Sequence, residues 1–219
     1  MSEEAVVRRP LQSRTSAWAR FFSGSLRAAG LTPNSVSLLS LVFAAVSGAS
    51  ILAASRGMEP MWLGWLIAAA GIQLRLFCNL MDGMLAVEGG LKSVTGELFN
   101  EIPDRIADAL ILVPLGYATG TAWGIGLGWA AAAGAVFTAY VRALGASLTG
   151  RQDFCGPMAK PHRMAAATLA CLGMMVPGWF PFPVPWLVVC LGVINAGILV
   201  TGWRRVRHLA NVLKQQSPS

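Results

Sequence analysis

The sequence predicts an all-α integral membrane protein in which six transmembrane helices are preceded by an amphipathic interfacial helix. Three observations predict it. The 219 residues are 55% hydrophobic and 12% charged, with a mean hydropathy of +0.58, whereas a soluble domain of this length carries a more polar surface. Six apolar stretches, at about 35–55, 61–81, 98–118, 122–147, 164–180 and 184–203, come near the roughly 20 residues that a helix needs to cross a bilayer. The basic residues fall on alternate connections between those stretches, as they do when one side of a membrane protein faces the cytoplasm.

In chain order, residues 1–14 are expected to form a disordered arm, 15–208 a single membrane domain and 209–219 a C-terminal tail. Within 15–29, Trp18, Phe21, Phe22, Leu26 and Ala29 share one helical face, and Ser16, Arg20, Ser23 and Arg27 share the other. Such a helix lies in the membrane interface, in contact with membrane lipids. The Thr32-Pro33-Asn34 turn leads into the first span, with Asn34 the expected N-cap. The fourth stretch carries Gly124, Gly126, Gly128 and an alanine run to Ala133. Its GxxxG pair, Gly124 and Gly128, lets helices approach closely in lipid, either within the monomer or along a homodimer seam. The fifth stretch is short and ends near Pro177, and residues 177–185 form a proline-rich, aromatic outer connection suited to the water–lipid boundary.

The charge pattern sets orientation and excludes a class of partner. Arg8, Arg9, Arg14, Arg20 and Arg27 precede the first span, and Lys92 lies between the second and third. Arg151, Lys160 and Arg163 lie between the fourth and fifth, and Arg204, Arg205, Arg207 and Lys214 follow the sixth. Arg56 is the only basic residue in the three connections on the other side. Both termini are therefore expected in the cytoplasm, which for a bacterial chain means insertion in the inner membrane. The net charge of +7 suits anionic headgroups, and no basic, aromatic-laced soluble surface of the kind that binds nucleic acid is visible. Cys78, Cys155, Cys171 and Cys190 are widely spaced and read as small apolar packing residues. No cleavable signal is expected, since the first 30 residues lack an apolar core segment.

Six of the ten acidic residues lie between Asp82 and Asp108, where two apolar stretches are joined. Ionisable groups at membrane depth are costly, so they usually mark an ion or substrate site. Asn79 and Asp82, spaced i, i+3, share a helix face, and Gly83 and Ala86 leave room beside them. At about 100° per residue, Glu97, Asn100, Glu101, Asp104 and Asp108 fall in one stripe. Clustered oxygen donors of this kind suit Mg²⁺, Mn²⁺ or Ca²⁺. A water-facing acidic helix end, with Glu97 and Glu101 near an N-terminus, is the alternative for the outer members, and Glu88 is read that way.

The segment from Asn79 to Asp104 resembles the signature of the CDP-alcohol phosphatidyltransferase family, D-x2-D-G-x2-A-R-x8-G-x3-D-x3-D, with the spacing kept throughout and matches at Asp82, Gly83, Ala86, Gly96 and Asp104. The resemblance covers about 15–205. It implies transfer of a phosphatidyl group from CDP-diacylglycerol, or a similar CDP-linked lipid, to a small alcohol acceptor, with release of CMP. It further implies Mg²⁺ or Mn²⁺ held by Asp82, Asn79, Asn100 and Asp104, with Asp104 as general base and Gly83, Ala86 and Gly96 at the nucleotide.

Three positions depart from the signature: Asn79 and Asn100 stand at two of its aspartates, and Val87 at its arginine. An amide oxygen can ligate a hard cation but brings no charge, so the four acidic signature positions carry two negative charges instead of four. The site then holds one metal, or borrows carboxylates from Glu97, Glu101 or Asp108, or serves a non-catalytic protein that binds a nucleotide lipid. A small transporter is a further class, which calls for repeat symmetry or broken helices. Arg151, Lys160 and Arg163, with Arg142 inside the fourth span, are candidates for binding a donor or acceptor phosphate. His162 reads as incidental. Arg75, one turn before Asn79, is expected to point to the site or to snorkel to the interface.

Overall fold

A computed structural model of the chain describes residues 17–58, 60–87, 90–91, 94–150, 152–176 and 183–216. Among these there are seven helices and no strand: α1 (Ala17–Ala28), α2 (Pro33–Ser55), α3 (Met61–Val87), α4 (Gly96–Tyr117), α5 (Ala122–Thr149), α6 (Lys160–Met174) and α7 (Pro183–Gln216). The expected arm at 1–14 lies outside the described residues. The expected tail is helical as far as Gln216, as a continuation of α7.

Among the described residues four helices are long and apolar enough to cross a membrane: α2, α3, α5 and the Trp186–Gln216 part of α7. The other two expected spans differ for physical reasons. Helix α4 has 22 residues but opens with the acidic stripe, and α6 has 15 residues with Lys160, His162 and Arg163 in its first turn.

Local sequence sets the helix ends. Helix α2 begins at a capping box in which Thr32, not Asn34, is the N-cap: the Thr32 hydroxyl accepts from the Ser35 N–H at 3.2 Å, and the Ser35 hydroxyl accepts from the Thr32 N–H at 2.9 Å. Pro33 fills the first turn, where its missing N–H costs nothing. Thr121 caps α5 by accepting from the Gly124 N–H at 3.1 Å. Gly150 closes α5 at φ +68°, a left-handed conformation that favours glycine.

The helices pack α2 against α3 and α4, α5 against α4 and α7, and α6 against α3 and α7. Small residues make the close approaches. A Cβ on Gly48 of α2 would meet the Leu110 carbonyl oxygen of α4 at 2.1 Å, and one on Gly116 of α4 would meet Gly124 and Gly128 of α5 at 2.7 and 2.9 Å. The GxxxG of α5 is thus used inside the chain, against α4. Ala44, Ile51, Ile72, Ile111, Leu115 and Met164 fill the core beneath the site. Helix α1 rests on α3, where the Phe22 and Phe77 rings meet edge to face at 5.5 Å, while Phe21 is 71% exposed. That exposed ring is what an interfacial helix presents to lipid.

Candidate active site

The last turns of α3 and the first turns of α4 carry the acids; of these, Glu101 and Asp104 line one cavity of about 370 Å³, with Asn79 and Asn100, and Asp82 lies just outside it. Cations line the same cavity. They are Arg142 of α5, Lys160 and Arg163 of α6, and Arg205 of α7. Phe154, from the connection between α5 and α6, closes one side, with the Arg142 guanidinium 5.7 Å from its ring centroid.

Asp104 is the hub. Its Oδ1 pairs with Lys160 Nζ at 2.5 Å and accepts from Asn79 Nδ2 at 3.1 Å. Its Oδ2 lies 3.5 Å from Arg105 Nη2, and Arg75 Nη2 stands 3.7 Å from Oδ1. Asp82, 5% exposed, accepts from the Ser37 hydroxyl of α2 at 2.6 Å. Among the described residues it has no ion-pair partner, although it lies near enough to Lys160 and Asp104 to feel their charges. Glu101 pairs with Arg142 across the cavity and with Arg105 one turn on at 3.7 Å.

Asp108 shares the helical stripe with Asp104 but sits one turn deeper and is fully buried, where Arg75 Nη2 donates to Oδ1 at 2.7 Å and Arg163 Nη2 to Oδ2 at 2.8 Å. Both oxygens are taken up by guanidinium groups, so Asp108 anchors Arg75 and Arg163. Arg75 is fully buried and also donates to the Asp104 carbonyl at 3.2 Å. It therefore points inward and does not snorkel.

The remaining expected residues fall in different places. Glu97 and His162 are exposed, and neither lines the cavity. Gly83, Ala86 and Gly96 flank the acids in sequence but are not on the cavity wall. Arg151 and Glu88 lie outside the described residues. Arg205 and Ser37 were missed. Arg205 donates from Nη1 to the Thr138 carbonyl at 2.6 Å and from Nε to the Cys155 carbonyl at 3.0 Å, and in sequence it looks like any other basic flank. Burial, with Asp153 beside it, pushes the Cys155 thiol up to about 11, so this cysteine is no ready nucleophile.

The donor set fits a hard cation. Among the described residues no three His, Cys, Asp or Glu side chains are grouped to hold a metal by themselves, so amide oxygens must contribute. A buried carboxylate without a protein counter-charge is costly. Asp82 is in that position, one turn from the Asn79 amide.

Comparison with known proteins places this geometry. No family model matches the chain. The bifunctional IPC transferase and DIPP synthase of Rubrobacter xylanophilus is 39% identical over 121 residues, which is 55% of this chain and 26% of that protein. The chain thus covers about a quarter of that relative's length. Crystal structures of phosphatidylinositol phosphate synthase from Mycobacterium tuberculosis share the fold. The complex with CDP-DAG aligns at a TM-score of 0.71 and 19% identity, over 89% of this chain and 94% of that one. The complex with manganese and citrate aligns at 0.70 and 19% identity, over 87% and 88%. The fold and the acid-bearing junction define a helical membrane protein with a charged cavity at one end of its bundle. The segment from Asn79 to Asp104 keeps the spacing of the CDP-alcohol phosphatidyltransferase signature, and the chain has the fold of those synthase structures.

Proposed function

We propose that this protein is an enzyme that transfers a phosphatidyl group from CDP-diacylglycerol, or a similar CDP-linked lipid, to a small alcohol and releases CMP. One observation carries the reading: Asp82 of α3 and Asp104 of α4 are both buried at the same junction, and Asp104 lines a cavity with Arg142, Lys160 and Arg163. Acids and fixed cations around one cavity suit a metal-bound diphosphate and a charged acceptor.

Asp82, with the Asn79 and Asn100 amide oxygens and the edge of Asp104, would hold Mg²⁺ or Mn²⁺. When bound, the ion supplies positive charge to the donor's diphosphate and to the leaving CMP. Asp104 takes the proton from the acceptor hydroxyl as its oxygen bonds to the lipid-bearing phosphorus and the bond to CMP breaks. Asn79 and Lys160 fix the orientation of that carboxylate. Arg142 and Lys160 bind the negative charge of a phosphorylated acceptor, with Arg163 held behind them by Asp108. Arg151, on the same connection, is a further candidate. The membrane domain is completed as six spans by α4 and α6, with both termini and the cavity on the cytoplasmic side. The donor then enters from the lipid and the acceptor from water.

The test is CMP release by purified protein from CDP-diacylglycerol, with Mg²⁺ or Mn²⁺, with EDTA as control, and with small alcohols and their phosphates supplied in turn. Release that needs both the metal and one acceptor supports a transferase and names its product. Binding of the CDP-linked lipid without release would instead mark a non-catalytic relative that has kept the pocket. Release without an acceptor would mean hydrolysis.

A further inference from the structure

Resting on that reading, we propose that the site takes one divalent cation, on the Asp82 side, and that the ammonium of Lys160 fills the second positive position, against Asp104. Two observations point there independently of the amide count. Asp104 already has its counter-charge from the protein: Lys160 Nζ at 2.5 Å and Asn79 Nδ2 at 3.1 Å meet Oδ1, while Oδ2, with Arg105 Nη2 3.5 Å away, keeps room for the acceptor's proton. Asp82, by contrast, has the Ser37 hydroxyl at 2.6 Å and no lysine or arginine paired with it among the described residues. One acid has its counter-charge built in, and the other is left for an ion.

The amides fit this division of labour. At position 79 an aspartate would face Asp104 with a like charge at hydrogen-bond distance, which disfavours both ionised forms unless a metal lies between them. Asparagine turns that contact into a donated hydrogen bond and leaves its own oxygen for Asp82's ion. Lys160 reaches the site because it is the first residue of α6, ahead of Pro161, so its long stem spans from the end of one helix to the side of another. A lysine ammonium is a compact point charge on a flexible stem, the protein group nearest in form to a small bound cation.

The experiment is a Mn²⁺ titration of the full chain in lipid nanodiscs after chelator treatment, followed by electron paramagnetic resonance, with and without CDP-diacylglycerol. The expected result is saturation at one Mn²⁺ per chain with no spin-coupled pair. The Asn79→Asp/Asn100→Asp variant should take up a second Mn²⁺ and show the coupled signal. Lys160→Met in the native background should add a second, weaker Mn²⁺ or tighten the first by about tenfold, as added net negative charge does at oxygen sites. This variant also serves if the double variant fails to fold, which its thermal melting reports. Two coupled Mn²⁺ ions in the native chain, or no response to Lys160→Met, would overturn the inference while leaving the transferase reading intact. No Mn²⁺ at all would overturn both.

Discussion

At the residue scale, two acids on one helical stripe do opposite jobs, and depth is what separates them. Asp104 meets the cavity and Asp108, one turn further in, bridges Arg75 and Arg163. The signature spacing made Asp82 and Asp104 candidates in the sequence. It could not show Asp108's role, because Arg75 lies 33 residues away and Arg163 55 residues away, and only the packing of α3, α4 and α6 joins them. Ser37 was hidden for the same reason, 45 residues from the Asp82 it contacts. Two predictions belong here. Asp104→Asn should lower kcat by about 10²–10⁴-fold, the usual weight of a general base, while binding of the CDP-linked lipid is retained; unchanged turnover would remove Asp104 from that role. Asp108→Asn should instead act on stability, by about 3–5 kcal/mol, because it leaves two guanidinium groups buried with one neutral partner. Thermal melting checks it, and Mn²⁺ affinity of the folded fraction should stay within about twofold.

At the element scale, the helices were legible because apolar length and the positive flanks report them directly. What the sequence left open was which faces meet. Gly124 and Gly128 fit a dimer seam as well as an internal contact until the backbone of α4 is seen against them through Gly116. Capping was similarly ambiguous, since Thr32 and Asn34 are both good caps, and the reciprocal bond to Ser35 settled it for Thr32. The glycines give a paired prediction. Gly128→Val should destabilise the chain strongly, because a Cβ there would meet Gly116 Cα at 2.8 Å and the Leu112 carbonyl at 2.9 Å. Gly126→Ala, on the same helix with nothing within 4 Å, should be neutral or stabilising by up to about 1 kcal/mol through helix propensity. Melting of the two variants in one detergent checks the contrast. Similar losses for both would mean that α5 is sensitive to bulk along its whole length and that the α4 contact is not special.

At the scale of the whole molecule, the question is how helices of such unequal length sit in one bilayer. Helix α7, with 34 residues, is about 51 Å long at 1.5 Å per residue and must project beyond a hydrocarbon core of about 30 Å. Beyond Arg205, which lines the cavity, its basic end runs on to Lys214 and belongs in the projecting part. Helix α6, with 15 residues, is about 22 Å long and cannot span that core alone, yet its Lys160 end must reach the same level as Asp104 of α4. The charged cavity therefore sits where α6 begins, and Arg205 of α7 lines it too. Parity makes the number of crossings testable. If α4 and α6 both cross, the termini share a side; if α6 turns back, they lie on opposite sides. Tags at the two ends should both be cut by protease in inside-out vesicles and both be protected in right-side-out ones. A cysteine placed at Trp123, which is 85% exposed at the start of α5, should react with a membrane-impermeant maleimide only from the outside, because α4 has crossed before it. Labelling from the inside would mean that α4 is not a span. The acids at its start would then lie along the surface, and a cavity shared with α3 could not form at the depth where Asp82 and Asp104 are buried.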